Sequence, residues 1–293
     1  MKRKKGFFMI SLDTELAWGE SDLGRTEKHR KYYEGARECI DCLLLFFKKY
    51  NIRATFALVG HLMLDGGMEE VNIEENSIWY GQDILKKIIA ISPQHEIASH
   101  SFSHRIFGAK GCTYEGAKTD IQKCVEAAKL HNLELKSFVF PRNSEGYKEV
   151  LQEQGFKVYR GKGNEWYEKI RVRVLRKIGH ILDEFLVIAP NTSLPVRDEL
   201  GLYNIPGNML YLSRDGLRRL IPISSRVKKA KKGIDKAIER GEVFHLWFHP
   251  CNLATDQENL LRGIDEVLCY AREKIDQKQM TNIVMSDIPR LFA

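Results

Sequence analysis

The amino-acid sequence predicts an α/β protein whose parallel strands curl into a closed or nearly closed barrel. Three features carry this. Seven short apolar runs alternate with longer amphipathic stretches along the 293 residues, the rhythm of strands joined by crossover helices. No repeat, low-complexity tract or Ser/Pro linker interrupts that rhythm. The charged residues that break the apolar runs stand at their carboxyl ends, where a parallel barrel collects its functional groups.

Taken in order, the first strand is expected at 6–12, where GFFMISL is apolar almost throughout, and a helix at 31–50 contains ECIDCLLLFFKKY. RATFALV at 53–59 reads as the second strand and 80–91 as the following helix. Strands three to five are expected at 95–99, 136–140 and 156–159, with helices at 115–131 and 144–154 between them. A helix at 165–186 leads into 187–226, the least regular stretch, which carries IAPNTSLPVRDELGLYNIPGN. That stretch reads as an insertion over the barrel mouth or as an extra β-segment. A helix at 227–240, the strongly apolar EVFHLWF at 242–248, a helix at 257–276 and a strand at 282–285 complete the chain. One domain over 1–293 is expected, with an irregular insertion at about 187–226.

Lys and Arg total 46 against 39 Asp and Glu, a net +7, and 43% of residues are hydrophobic. This is a globular composition, long enough to bury a large core. The start, MKRKKGFFMISLDTE, has its apolar run broken by Asp13 and Glu15, which does not fit a secretory leader, and no stretch reaches the ~20 apolar residues of a spanning helix. A cytoplasmic location is therefore expected. The six cysteines agree with it: Cys39 and Cys42 read as small residues on a helix face, and the others are scattered.

In a sheet covered on both faces, a charge at a strand end needs a reason. Side-chain alternation puts Phe7, Met9, Ser11, Asp13 and Glu15 on one face of the first strand, so two acids emerge together at its end. HEIASHSFSH runs from a strand into His100 and His104; if the segment turns helical, both imidazoles share a face and can share a metal. In EVFHLWFHP, His245, Trp247 and His249 share one face and Phe244, Leu246 and Phe248 the other. Arg142, after SFVFP, falls at a strand end as well.

These segments resemble, in order, the motifs of the polysaccharide deacetylases, carbohydrate esterase family four, with the NodB homology domain. SLDTE stands where that family has its aspartate-rich first motif, RATFALVGH resembles the strand that follows, and HSFSH matches the H-[ST]-x-x-H metal motif. FPRNSEGY resembles the third motif and HLWFHP the last, with good coverage over about 1–160 and 241–293. Two departures stand out: Thr14 replaces the second of two adjacent aspartates, and the arginine of the third motif follows its proline instead of preceding it.

The resemblance implies a distorted (β/α)7 barrel that hydrolyses an N-acetyl group on an amino sugar with a divalent metal, zinc first, or cobalt, manganese or nickel. Carried over by position, His100 and His104 would be ligands together with an acid of SLDTE. Members that space their acids by one residue make Asp13 the base and Glu15 the ligand; the reverse assignment stays open. His249 would protonate the departing amine, and Arg142 or Arg160 would keep Asp13 ionised. Trp18, Trp166, Tyr167 and Trp247 are expected near the mouth, where indole and phenol rings stack on sugar faces, and Arg160 among the substrate contacts. A cytoplasmic nucleotide- or lipid-linked N-acetyl sugar fits better than an external polymer.

Two basic stretches, KIRVRVLRK and RVKKAKKGIDKAIER, read as solvated helix faces, with peripheral contact to an anionic membrane surface as the functional alternative and no nucleic-acid motif beside them. Two other functions stay open: hydrolysis of a different non-peptide C–N bond, as in cyclic imides or ureides, and a glycan- or phosphate-binding relative without turnover. Two histidines and a carboxylate are also the facial triad of non-haem iron oxygenases, whose antiparallel double-sheet folds differ from this β/α rhythm.

Overall fold

The structure, a computed structural model, describes residues 5–65, 77–163, 183 and 185–293. The first half alternates strictly: β1 (Gly6–Thr14), α1 (Thr26–Tyr50), β2 (Thr55–Leu58), α2 (Gln82–Ala90), β3 (Glu96–Ser99), α3 (Tyr114–Lys129), β4 (Ser137–Val139), α4 (Lys148–Glu153) and β5 (Val158–Arg160). Then come the short strands β6 (Val196–Arg197), β7 (Tyr203–Asn204) and β8 (Met209–Leu210). The chain continues through α5 (Ile223–Arg240), β9 (Val243–Phe248), α6 (Pro250–Leu253), α7 (Gln257–Asp276), β10 (Met280–Asn282) and α8 (Ile288–Leu291). The helix expected at 165–186 lies almost wholly outside the described residues.

The strands form one curled sheet in the order β6-β7-β5-β4-β3-β2-β1-β9-β8, parallel except for the β6–β7 pair. The segment 203–211 joins its two ends. Tyr203 and Ile205 donate backbone N–H groups to Lys157 and Tyr159 beside β5, while Asn208 and Tyr211 donate to His245 and Trp247 of β9. One strand, bent at Pro206–Gly207, thus serves as the seventh stave. The extra β-segment is what this part of 187–226 contributes. Gly207 is required at the bend, because a Cβ there would lie 2.5 Å from the Trp247 indole.

Strand alternation separates two cores. Phe8, Ile10 and Leu12 of β1 pack outward with Phe244, Leu246 and Phe248 of β9 against the helices, while Met9, Ala57, Ala98, Val139 and Val158 fill the barrel. Helix α1 buries Tyr33, Ala36, Ile40, Leu43, Leu44 and Phe47 at three- and four-residue spacing. Each large apolar side chain there contributes about 1.5–3 kcal/mol. The helix stops at Asn51, whose left-handed φ of 47° lets its N–H cap the last carbonyls.

Several boundaries differ from expectation, and α1 begins at Thr26 where 31 was expected. The last strand pairs only with Gly6–Phe8 at the foot of β1, since β2 occupies Ser11–Thr14 on the same side. Helix α4 begins at Lys148 because Tyr147 has a φ of 51°, which no helix interior accommodates. Helix α5 begins four residues earlier than the pattern, at Ile223. Its first turn carries Arg226, fully buried and donating to the carbonyl groups of Leu212, Ser213 and Ile221. A basic residue expected on a solvated face is thus the anchor of the loop before the helix.

His95, at the foot of β3, sits between Phe47 and Phe56, and its Nδ1 accepts the Ala54 N–H at 3.1 Å. Burial, with help from Arg53, pushes its pKa down to about 4. The unfolded chain binds this proton near pH 6.5, so the contribution is complete above that pH and is lost as pH falls toward 4, on the order of 3 kcal/mol in all. His95→Asn keeps an acceptor and removes the titration. In urea unfolding, this variant should lose less stability than wild type between pH 6.5 and 4.5; equal losses would mean that His95 does not titrate on unfolding.

Candidate active site

The carboxyl ends of β1, β3 and β9 bring five predicted residues to one place: Asp13, Glu15, His100, His104 and His249. The Oε2 atom of Glu15 lies 3.2 Å from His100 Nε2 and 3.0 Å from His104 Nε2. The other Glu15 oxygen lies 3.5 Å from His249 Nε2, which stands 3.7 Å from Asp13 Oδ2. All but His249 are nearly inaccessible, from 1% exposure at His100 to 9% at Glu15. A cavity of about 350 Å³ opens above them, lined by Asp13, Glu15, His104, His249 and Trp247, by Glu20, His29, Tyr32 and Tyr33, and by Arg142, Ser213, Asp215 and Arg218.

Each position has a local cause. Glu15 follows the last residue of β1 where the backbone turns sharply, Leu16 having a φ of 46°. Gly19 in the following 3-10 turn leaves the space that the Glu15 carboxylate fills, since a Cβ at 19 would overlap it. Gly19→Ala should therefore displace the carboxylate and weaken divalent-metal binding at least tenfold with little change in far-UV circular dichroism. Metal affinity unchanged in that variant would separate Glu15 from the site.

His100 and His104 converge without a helix, a correction to the expectation from their spacing. Ser101 and His104 have φ of 65° and 56°, outside the helical region. The loop is held by Asp120 of α3, whose carboxylate accepts from Phe102 N at 2.7 Å, Ser103 N at 3.1 Å and Ser103 Oγ at 2.7 Å. His100 Nδ1 bonds the Val139 carbonyl at 2.8 Å, which aims Nε2 at Glu15, the outer-shell support usual for metal-ligating imidazoles.

Arg142 does not reach Asp13. It pairs with Asp22 at the cavity rim, because left-handed φ values at Arg142 and Asn143 turn the chain away after Pro141. The guanidinium that meets Asp13 comes from the next strand: Arg160, 1% exposed, bonds Asp13 Oδ2 at 2.5 Å and Ser11 Oγ at 2.9 Å beneath the Trp247 ring. Arg160 is thus a partner of the acid and not a wall of the cavity. Its signal was in the sequence, a charge at the end of the apolar FKVYR. Trp18 stacks on His61 with centroids 4.0 Å apart and donates to the Trp79 carbonyl, away from the cavity lining. Trp247 does line the cavity. Trp166 lies outside the described residues.

Burial opposes ionisation of Asp13, but Arg160, His100 and His249 together outweigh it and hold the carboxyl below its ordinary range. Glu15 is likewise opposed by burial and drawn well below its ordinary value by His249, His104 and His100. Both are carboxylates at neutral pH. Asp13 spends only one oxygen on Arg160; Oδ1 is buried with no partner. Glu15, His100 and His104 form the one group of three such side chains, among the described residues, whose donor atoms all lie within 4.8 Å of one another. A carboxylate and two imidazoles, one fixed from behind, fit a divalent cation of the zinc type.

This fold is a curled α/β barrel, and this set of groups is a candidate metal centre at its mouth. Residues 32–158 match the family profile described as polysaccharide deacetylase. The matched segment contains HSFSH and is the part of the chain that resembles that family. The whole chain is similar in fold to a Mycobacterium smegmatis protein assigned to the polysaccharide deacetylases, with 14% identity, 99% of this chain and 91% of the other covered, and a TM-score of 0.65. A Pseudomonas aeruginosa PAO1 protein with the same assignment gives 12% identity, 97% and 89% coverage, and a TM-score of 0.68. A GH57-type branching enzyme from the archaeon Pyrococcus horikoshii aligns over 98% of this chain and 70% of its own, at 10% identity and a TM-score of 0.58. The barrel is therefore shared across unlike reactions, and the side chains must name the chemistry. No curated protein matches the sequence significantly.

Proposed function

We propose that the protein removes the N-acetyl group from an amino sugar by metal-dependent hydrolysis, with Glu15, His100 and His104 as ligands, Asp13 as general base and His249 as general acid. The observation that carries this is the division of labour between the two acids. Glu15 faces both imidazoles of HSFSH, whereas Asp13 faces Arg160 and keeps Oδ1 free. A zinc ion held there would supply a Lewis acid that polarises the acetyl carbonyl and acidifies a water.

An amide is a weak electrophile with a poor leaving group, so the protein's share of the work is proton transfer. The Asp13 carboxylate takes a proton as water attacks the carbonyl carbon, and the C–N bond then breaks as protonated His249 gives its Nε2 proton to nitrogen. The products are the free amine and acetic acid. Asp13 Oδ2 and His249 Nε2 are 3.7 Å apart, so the proton gained by one and lost by the other returns over a short path. Arg160 holds Asp13 ionised between turnovers.

For the substrate, we infer a sugar presented on a nucleotide or lipid carrier inside the cell. The support is the mixed cavity wall, with Arg142 and Arg218 beside Tyr32 and Tyr33. Leu217 and Leu220, each more than two-thirds exposed on the 3-10 turn Gly216–Leu220, flank Arg218 and Arg219 and offer a contact for an anionic bilayer. No helix among the described residues is long and apolar enough to cross a membrane.

Acetate release from a panel of free, nucleotide-linked and polyprenyl-linked N-acetyl sugars tests the reading, with zinc present and after chelation. Release that requires the metal supports it. Ring opening of cyclic imides in place of acetate release, or turnover indifferent to chelation, sinks it.

A further inference from the structure

Below the reacting carboxylate lies a second layer of polar side chains that the steps above do not use. We propose that Ser11 and His245 are positioning residues which, through Arg160, fix the place of the Asp13 carboxylate; this rests on the deacetylase reading.

The middle of the barrel interior is apolar, filled by Met9, Ala57, Ala98, Val139 and Val158. A serine and a histidine there, both at 0% exposure, need partners. Their partners form one line. Arg160 Nη1 donates to Ser11 Oγ at 2.9 Å, and the same oxygen lies 2.8 Å from His245 Nε2. With the hydroxyl hydrogen placed in that contact, Nε2 accepts and the ring proton lies on Nδ1. Burial, with Arg160 nearby, pushes the pKa of His245 down to about 3, in keeping with a neutral ring. The backbone N–H of His245 is in turn fixed on Asn208 Oδ1 of the bent stave.

The consequence is geometric. A guanidinium free to turn would meet a carboxylate with both arms, one N–H to each oxygen. Here one arm is held by Ser11, and the Trp247 ring covers the guanidinium, its carbon 4.3 Å from the ring centre. So held, Arg160 gives Nη2 to Asp13 Oδ2, while its own Nε and Asp13 Oδ1 are buried without a hydrogen-bond partner. Without the Ser11 hydroxyl, Nη1 loses its acceptor in a buried site and the guanidinium shifts, taking the Asp13 carboxylate with it.

The test compares wild type, Ser11→Ala and Ser11→Thr as full-length zinc-loaded protein, reading kcat and KM for acetate release, bound zinc and the imidazole nitrogen resonances of His245. Ser11→Ala should lower kcat between about tenfold and hundredfold, the scale of a sub-ångström to 1 Å misplacement, with KM within about twofold and zinc unchanged. Ser11→Thr, which restores a hydroxyl, should recover most of the loss. His245 should show Nδ1–H with a bare Nε2 in wild type and a mixture of tautomers in Ser11→Ala. Wild-type kcat in Ser11→Ala, or a wild-type His245 protonated on Nε2, overturns the proposal. Absence of acetate release from wild type overturns the deacetylase reading instead, and the nitrogen spectra then still decide whether the hydrogen-bonded line exists.

Discussion

Asp13→Asn should lower kcat for acetate release about 10²- to 10⁴-fold, the usual share of a general base, while the protein keeps its full complement of zinc. The carboxamide retains an oxygen for Arg160 but has no basic oxygen to accept the proton of the attacking water. Arg160 loses a charged partner in a site where it is 1% exposed, so some stability goes as well. Removing one member of a buried pair outright costs about 3–5 kcal/mol, and an isosteric amide less. Comparing zinc content with kcat resolves the order of the two acids. An Asp13→Asn protein that has lost its zinc would assign the ligand to Asp13 and the base to Glu15, the reverse of the geometry.

His100→Ala should abolish bound metal and acetate release together. Its Nε2 faces Glu15 and its Nδ1 is tied to the Val139 carbonyl, so the ring is held in one orientation before any ion arrives. Loss of outer-shell support alone weakens metal sites 10- to 100-fold, and loss of a ligand exceeds that. Elemental analysis after gel filtration gives the first readout and single-turnover acetate release the second. Activity surviving in a metal-free His100→Ala protein would place the chemistry on Asp13 and His249 alone. Added zinc should not rescue the variant at concentrations that saturate wild type.

Much of this arrangement was legible in the sequence because strand periodicity is rigid. Two-residue alternation put Met9, Ser11 and Asp13 on one side of β1, and His245 and Trp247 on one side of β9; the barrel interior and cavity floor are built from those faces. What alternation does not encode is how the chain leaves a strand. The four-residue spacing of His100 and His104 suits a helix, yet the segment is a loop pinned by Asp120, a residue 16 positions after His104 on another element. Arg142 stood at a strand end, but the left-handed turn after Pro141 sends it to the rim, while Arg160 reaches Asp13 from the neighbouring stave.

The remaining cavity wall had no sequence signal at all. Tyr32 and Tyr33 of α1, and Ser213 to Arg218 after the bent stave, meet over the site only through tertiary packing. The seventh stave was legible only as one of two alternatives for 187–226, because its hydrogen bonds are divided between β5 and β9 by the bend at Pro206–Gly207 and neither half has the length of a typical strand.

The central claim is that acids and imidazoles from distant parts of the chain surround one cation. Crystals grown with zinc and measured on both sides of the zinc absorption edge test it most directly. The account predicts a single strong anomalous peak bonded to Glu15 Oε2, His100 Nε2 and His104 Nε2, with Asp13 beside it on Arg160. A peak ligated by Asp13 in place of Glu15, or zinc bound elsewhere with these three side chains still paired to one another, would contradict it.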